Sequence, residues 1–287
     1  MSRLKKSLKN KAAALCGYFL RVHNSAGFCY RGEKMELIKI TPDNLAKEHI
    51  CCAIANDKDI QVISKKAWME QRLAEGLVFL KGNVRGKCFI EYIPAEYAWA
   101  PVVAEGYMYI NCLWVSGQFK GHGYSNLLLD ECIKDSKKKG KKGLVCLSSK
   151  KKMGFLSDPK YMKYKGFETV DKAQPYFELL YLPFDSGLDK PCFKHTVKEP
   201  WPNGGQKEFT LYYTNQCPFT AKYVPLLEKA AQQKGLAFRT IHLDTREAAQ
   251  NAPTPFTTFA LFYEGKFLTH EILSDKKFEK LLASISL

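Results

Sequence analysis

The sequence predicts an α/β protein, α+β in the sense that its sheet is mixed, arranged in two folded parts. Three observations predict this. The chain has 287 residues, long for one core and sufficient for two. Its 46% hydrophobic and 13% aromatic content is that of a folded globular chain. Short apolar runs bounded by Gly, Asn and Pro alternate with longer segments of helical period, as strands and helices do when they take turns. No apolar run reaches the roughly 18–20 residues that cross a bilayer, so no membrane partner is expected.

Residues 36–40 read as a first strand, and Pro42, Asp43 and Asn44 open a short helix through turn and cap chemistry. A second helix is expected over residues 64–75, with Ser64 as its N-cap. Strands follow at 76–81, 87–93 and 107–115. A helix over 123–139 and a strand at 143–147 then complete a β-α-β crossover, which sets its two strands parallel. Residues 183–205 hold four prolines and three glycines without either period, and read as a linker. Beyond it come a strand at 208–214, a helix at 219–233 and a strand at 238–244. A hairpin of 257–263 and 267–270 turns at Glu264, Gly265 and Lys266, and a last helix covers 275–284. The expected organisation is a basic leader outside the fold at 1–34, a first domain at 35–184, a linker at 185–206 and a second domain at 207–287.

The formal charge of +15 sits almost wholly in two blocks. Residues 1–34 carry eight Lys/Arg against Glu33 alone, and nine lysines lie between Lys134 and Lys152 against Asp135 alone. The second block contains no aromatic residue, so it reads as a solvated helix end and turn, and nucleic acid is not an expected partner. The leader pairs a basic start with an apolar run at 12–20, which resembles an export signal. The run is short, Arg21 ends it, and no small-residue cleavage site follows, so translation from Met35 is the reading preferred over export. Ten cysteines are scattered without a C-x-x-C pair, which argues against a disulfide framework and against a zinc site; no metal is expected. Cys112 and Cys146 lie in apolar runs and read as small core residues of a protein in a reducing, cytoplasmic compartment.

The most informative segment is Val115, Ser116, Gly117, Gln118, Phe119, Lys120, Gly121, His122, Gly123, Tyr124, which follows a strand and opens a helix. Glycines there let backbone approach a ligand closely, and free N–H groups at a helix start favour an anion such as a pyrophosphate; a bare strand-to-helix turn is the competing reading. Gln118, Gly121 and Gly123 fill the pattern Q/R-x-x-G-x-G/A. Downstream, Tyr161, Met162, Lys163, Tyr164, Lys165, Gly166 and Phe167 look like a helix running into a Gly-Phe turn. With these motifs, residues 36–182 resemble the GNAT superfamily of N-acetyltransferases.

The resemblance implies a sheet that splays beside the loop and holds acetyl-coenzyme A as co-substrate, with Val115, Gln118, Phe119, Lys120, Gly121, His122, Gly123 and Tyr124 binding it. It implies direct attack on the thioester in a ternary complex by an amine, on a small molecule or a peptide. The tyrosine this family often uses to protonate the leaving thiolate falls on Met162, so Tyr161 and Tyr164 become the candidates; Glu91 is preferred over Glu105 and His122 as proton acceptor. Tyr92, Tyr107, Tyr109 and Trp114 are either core or acceptor pocket.

From Glu208 onward the order β-α-β-α-β-β-α resembles the thioredoxin superfamily. Cys217, in Cys217-Pro218-Phe219-Thr220, lies between strand and helix, where the helix-start amides lower a thiol pKa. Pro255 falls where that superfamily places a cis-proline facing the thiol. Thr220 replaces the second cysteine, which excludes a two-cysteine cycle within the motif. The two parts together resemble YoaP-like proteins. The expected function is an acetyl-coenzyme A-dependent N-acetyltransferase; the alternatives are a coenzyme A-binding protein without catalysis and a monothiol redox or binding protein acting through Cys217 and Pro255.

Overall fold

The structure is a computed structural model that describes residues 35–52, 56–198 and 207–285; the leader and the end of the expected linker lie outside the described residues. Residues 35–287 form one compact unit. It opens with β1 (Leu37–Lys39) and a one-turn helix α1 (Pro42–Leu45), started by Thr41, whose N–H donates to Asn44 Oδ1 at 2.8 Å. Helix α2 (Ile60–Leu73) begins earlier than the sequence predicts. Asp59, not Ser64, is its N-cap, accepting from the Gln61 N–H at 2.9 Å, and Ser64 lies within the helix. Its inward stripe is Gln61, Val62, Lys65, Trp68 and Met69, a helical period with a lysine in the middle.

Strands β2 (Val78–Gly82), β3 (Cys88–Pro94), β4 (Val102–Val103) and β5 (Tyr107–Val115) follow, then helix α3 (Tyr124–Lys138) and β6 (Gly143–Ser149). Helix α4 (Pro159–Tyr164) leads into β7 (Glu168–Ala173) and β8 (Phe177–Pro183). The main sheet has seven strands in the order β1-β2-β3-β5-β6-β8-β7. Its β5/β6 pair is parallel, as the crossover through α3 requires, and the other pairings are antiparallel. That parallel pairing runs only from Tyr107 against Gly143 to Ile110 against Cys146, after which the two strands part. At the same level a bulge between Glu91 and Tyr92 leaves Asn111 without an opposite residue on β3.

The stretch read as linker is partly built into the fold. Strand β9 (Cys192–Phe193) pairs with β4, Val102 against Phe193 and Val103 against Cys192. The second sheet, ordered β11-β10-β12-β13, comprises β10 (Phe209–Tyr213), β11 (Phe238–His242), β12 (Phe259–Tyr263) and β13 (Lys266–Thr269). Its helices are α5 (Pro218–Gln233), α6 (Arg246–Gln250) and α7 (Asp275–Ala283). Among the described residues no helix is long and apolar enough to cross a membrane.

Two cores are local. Leu128, Leu129 and Cys132 of α3 bury Ile90, Met108 and Cys146 on one face of the main sheet, and Phe209, Val224, Leu227, Phe259 and Phe278 fill the second. The third is shared, because Trp99, Tyr109 and Phe177 pack in one cluster with Leu243, Ala249 and Ala252 of the second part. Polar groups stitch the same boundary. Gln250 Nε2 donates to the carbonyls of Glu96 and Ala98 at 3.1 and 2.9 Å, and Thr257 Oγ1 donates to the Trp99 carbonyl.

His270 is sealed into this boundary, 2.7 Å from Tyr176 Oη and 2.8 Å from the Gly154 carbonyl. A carbonyl only accepts, so Nε2 carries the proton and the Tyr176 hydroxyl donates to Nδ1; the ring is neutral. Burial lowers its pKa below the usual 6.5, only partly offset by the Gly154 carbonyl and Glu271. A histidine with a depressed folded pKa binds more protons when unfolded, so its contribution is intact above pH 6.5 and is lost as pH falls from 6.5 toward the folded pKa. Thermal unfolding of wild type and His270→Gln from pH 7.5 to 5 is therefore expected to show a fall in Tm that the variant lacks in part. Parallel curves for the two proteins would contradict it.

Candidate active site

The loop between β5 and α3 is built as the glycines require. Residues Gly117–Phe119 make a short 3-10 turn, and Gly121 and Gly123 stand at φ +80° and +76°, backbone that other residues adopt at a cost of about 1–2 kcal/mol. A side chain at Gly121 would meet no protein atom within 4 Å, so this turn is open to a ligand. Gly123 is the N-cap of α3 and has no side chain to cap it, and the first turn carries no acidic residue. With neither a side-chain cap nor an acidic first turn, the α3 start is a positive helix end.

Of the predicted loop residues, Gln118, Lys120, Gly121 and His122 are exposed around this mouth. The His122 and Tyr124 rings stack at 5.7 Å, while Val115 and Tyr124 lean on the core beneath α3. Phe119 has an anchoring place, its ring seated where a Cβ on Gly86 would otherwise stand.

Helix α4 separates the two tyrosine candidates. Asp158 caps it through the Lys160 and Tyr161 N–H groups, which turns Tyr161 toward α3; its hydroxyl donates to Asn126 Oδ1, in the first turn of α3, at 3.1 Å. Tyr164 is 81% exposed, which sets it apart from the cleft, and Met162 is 1% exposed in the core. Glu105 and the lysine block are at the surface, with Lys139 and Lys152 paired to Asp135 and Asp158.

Glu91 is not a free carboxylate. It is 2% exposed, with Oε2 2.6 Å from Lys65 Nζ and Oε1 accepting from Asn111 Nδ2 at 2.9 Å. Lys65, itself 2% exposed, also donates to the Gln216 carbonyl at 2.7 Å and lies over the Trp68 ring. One ammonium thus joins α2, β3 and the residue that precedes Cys217. Asn111, Lys65 and Gln216 escaped the sequence analysis; the signal for Lys65 was its place in the apolar stripe of α2.

Cys217 departs from expectation in two ways, while Thr220 behaves as the sequence implies. Crowding by protein pushes its thiol up to about 11, outweighing the pull of the Phe219 amide at the helix start and of Lys65. The peptide before Pro255 is trans, the one cis bond among the described residues being Gln174–Pro175. Thr220, where a resolving thiol would stand, donates its hydroxyl to the Thr214 and Cys217 carbonyls at 2.8 and 2.7 Å and is a structural tie. Cys52 and Cys112 share the neighbourhood, both half-buried, and both thiols are raised by burial. Cys112 lies opposite Glu91 and is not the plain core residue expected, whereas Cys146 is fully buried.

A mixed sheet parted at its parallel pair, beside a left-handed glycine turn that opens a helix, is the arrangement of an acyl-coenzyme A-binding transferase of GNAT type. Over 250 residues the chain is 44% identical to the Bacillus subtilis (strain 168) protein described as the uncharacterized N-acetyltransferase YoaP, covering 87% of this chain and 99% of that one. The chain belongs to the YoaP family of N-acetyltransferases. The profile of the YoaP-like family matches residues 237–280. Among solved structures it is similar to the GNAT N-acetyltransferase YhbS of Escherichia coli in complex with CoA, at 13% identity over 57% of this chain and 92% of that one, TM-score 0.37. A GNAT acetyltransferase of Brucella melitensis in complex with acetyl-CoA matches at 16% identity over 55% and 93%, TM-score 0.35.

At pH 7.5 a thiol with a pKa of about 11 is ionised in roughly one molecule in three thousand. Alkylation of Cys217 by iodoacetamide, followed by peptide mass spectrometry, is expected to run at least tenfold slower than that of glutathione and to rise with pH beyond 9. A rate that levels off below pH 8.5 would show a reactive thiol instead.

Proposed function

We propose that this protein transfers the acetyl group of acetyl-coenzyme A to an amine by direct attack within a ternary complex. The observation that carries the reading is the left-handed glycine turn at Gly121 and Gly123 that opens α3, at the place where β5 and β6 part. Amides of that turn hold the pyrophosphate, flanked by Gln118, Lys120, His122 and Tyr124, and the pantetheine arm runs into the opening between the strands. The nitrogen attacks the thioester carbonyl, the C–S bond breaks, and in this reading the Tyr161 hydroxyl protonates the sulfur as it leaves. Glu91 acts here as a positioning group, since both its oxygens are engaged. It fixes Asn111 at the opening.

The order β10-α5-β11-α6-β12-β13-α7 supports reading the second part as a thioredoxin-like scaffold. Its raised Cys217 thiol and trans Pro255 favour a structural or binding role over monothiol redox chemistry. We place the protein in the cytoplasm, where the coenzyme A thioester is at hand and free thiols persist.

Gly121→Asp adds strain of about 1–2 kcal/mol and a negative charge worth about 0.3–1 kcal/mol at a helix start, together about 1.3–3 kcal/mol against the roughly 1.4 kcal/mol of a tenfold change. Calorimetry is expected to show acetyl-coenzyme A affinity reduced at least tenfold in a variant that still folds. Tyr161→Phe is expected to leave that affinity within twofold and to lower kcat for thiol release by ten- to a hundredfold. Unchanged affinity in the glycine variant would remove the loop from the cofactor site.

A further inference from the structure

The opening between β5 and β6 borders the second part of the chain. It ends in a narrow cavity of about 20 Å³, room for one small polar group, whose near wall is Tyr109, Asn111 and Leu147 and whose far wall is Gln216, Pro255 and Thr257 of the second part. The far wall is fastened in place. Lys65 holds the Gln216 carbonyl, Thr257 is bonded to Trp99, and His270 joins Tyr176 to Gly154. A polypeptide acceptor needs a broad groove beside the reacting centre, and a pocket of this size with a fastened wall does not offer one.

Two buried polar atoms of the described residues lining this cavity lack a hydrogen-bond partner, the Trp99 indole Nε1, which is a donor, and one acceptor, Asn111 Oδ1. The orientation of the Asn111 amide is fixed, because a carboxylate only accepts, so the Nδ2 side faces Glu91 and the carbonyl side faces away. An unpaired buried acceptor is costly and is satisfied by a donor. We infer that the second part is the acceptor-side wall of the acetyl-transfer site, and that the acceptor is a small amine whose reacting nitrogen donates an N–H to Asn111 Oδ1. The inference rests on the acetyl-transfer reading above. The nitrogen's lone pair forms the new N–C bond, the C–S bond breaks, and the proton that nitrogen gives up ends on the coenzyme A sulfur. Asn111 orients the nucleophile and takes no proton. Gln216, through its side chain, sets the room available, while its carbonyl belongs to the Lys65 bond.

The test uses the full chain with acetyl-coenzyme A, thiol release as readout, and four probes: methylamine, ethanolamine, glycine and a lysine-containing hexapeptide. At least one small amine is expected to exceed the hexapeptide tenfold or more in kcat/KM. Asn111→Ala is expected to raise the KM for that amine at least tenfold while the calorimetric affinity for coenzyme A stays within twofold. Gln216→Ala, which keeps the backbone carbonyl, is expected to narrow the gap between amine and peptide at least threefold, and it reports on the wall should the asparagine variant fail to fold. Turnover of the peptide equal to that of the amines, no turnover of any small amine by protein that binds coenzyme A, or an unchanged amine KM in folded Asn111→Ala would each overturn the inference. Loss of coenzyme A binding by the wild-type chain would overturn the acetyl-transfer reading itself.

Discussion

The ammonium of Lys65 is the point on which this structure turns. Taking two opposite charges out of water costs several kcal/mol per ion, and that cost is met only where every donor and acceptor finds a partner. Here Lys65 has the Glu91 carboxylate, the Gln216 carbonyl and the face of Trp68, and the other Glu91 oxygen has Asn111. Deleting one member would strand a buried charge at a cost of about 3–5 kcal/mol. The arrangement is therefore all or nothing, and it fixes three things together: the seat of α2 on the sheet, the bulge at which β5 leaves β6, and the approach of the second part to that opening.

Geometry at the cleft follows from this anchor. The bulge gives Asn111 a position that a regular ladder would deny it, and Glu91 decides which side of its amide looks outward. The glycine loop and Tyr161 are organised separately, by the backbone conformation at Gly121 and Gly123 and by the Asp158 cap of α4. The glycine loop and the surroundings of Asn111 thus rest on independent local causes, on either side of the place where the two strands part.

What the sequence could reveal was whatever short-range patterns encode. The strand at 107–115, the helix that opens after Gly123 and the Glu264-Gly265 hairpin are visible because apolar period and glycine punctuation are local signals. The α2 start was misplaced because Ser64 and Asp59 are both good caps, and tertiary packing of Val62 chose the longer helix. Strand β9 is two residues long and its partner lies far back in the chain, so no periodicity announces it. Cys217 was misjudged for a related reason. Its helix-start amides are readable from neighbouring residues, but the burial that outweighs them is set by the tertiary fold, which brings Lys65 and Glu91 beside it and which no local window contains. Lys65 was the missed opportunity, since a lysine between Val62 and Trp68 on an apolar face is already out of place as a solvated charge.

The shared core also bears on how the chain is made. Trp99, Tyr109 and Phe177 finish their packing against Leu243, Ala249 and Ala252, which are synthesised well after them. At bacterial or slower elongation rates of about 5–20 residues per second, the sheet that ends at Pro183 waits about 3–14 seconds beside the ribosome for its cover. During that interval its apolar face and the buried-to-be Lys65 and Glu91 stand in water, a partly finished surface that chaperones bind. Expression yield of this chain is thereby tied to events at its C-terminal end, and a ribosome stalled in the proline-rich stretch after Pro183 would release a product lacking one side of its core.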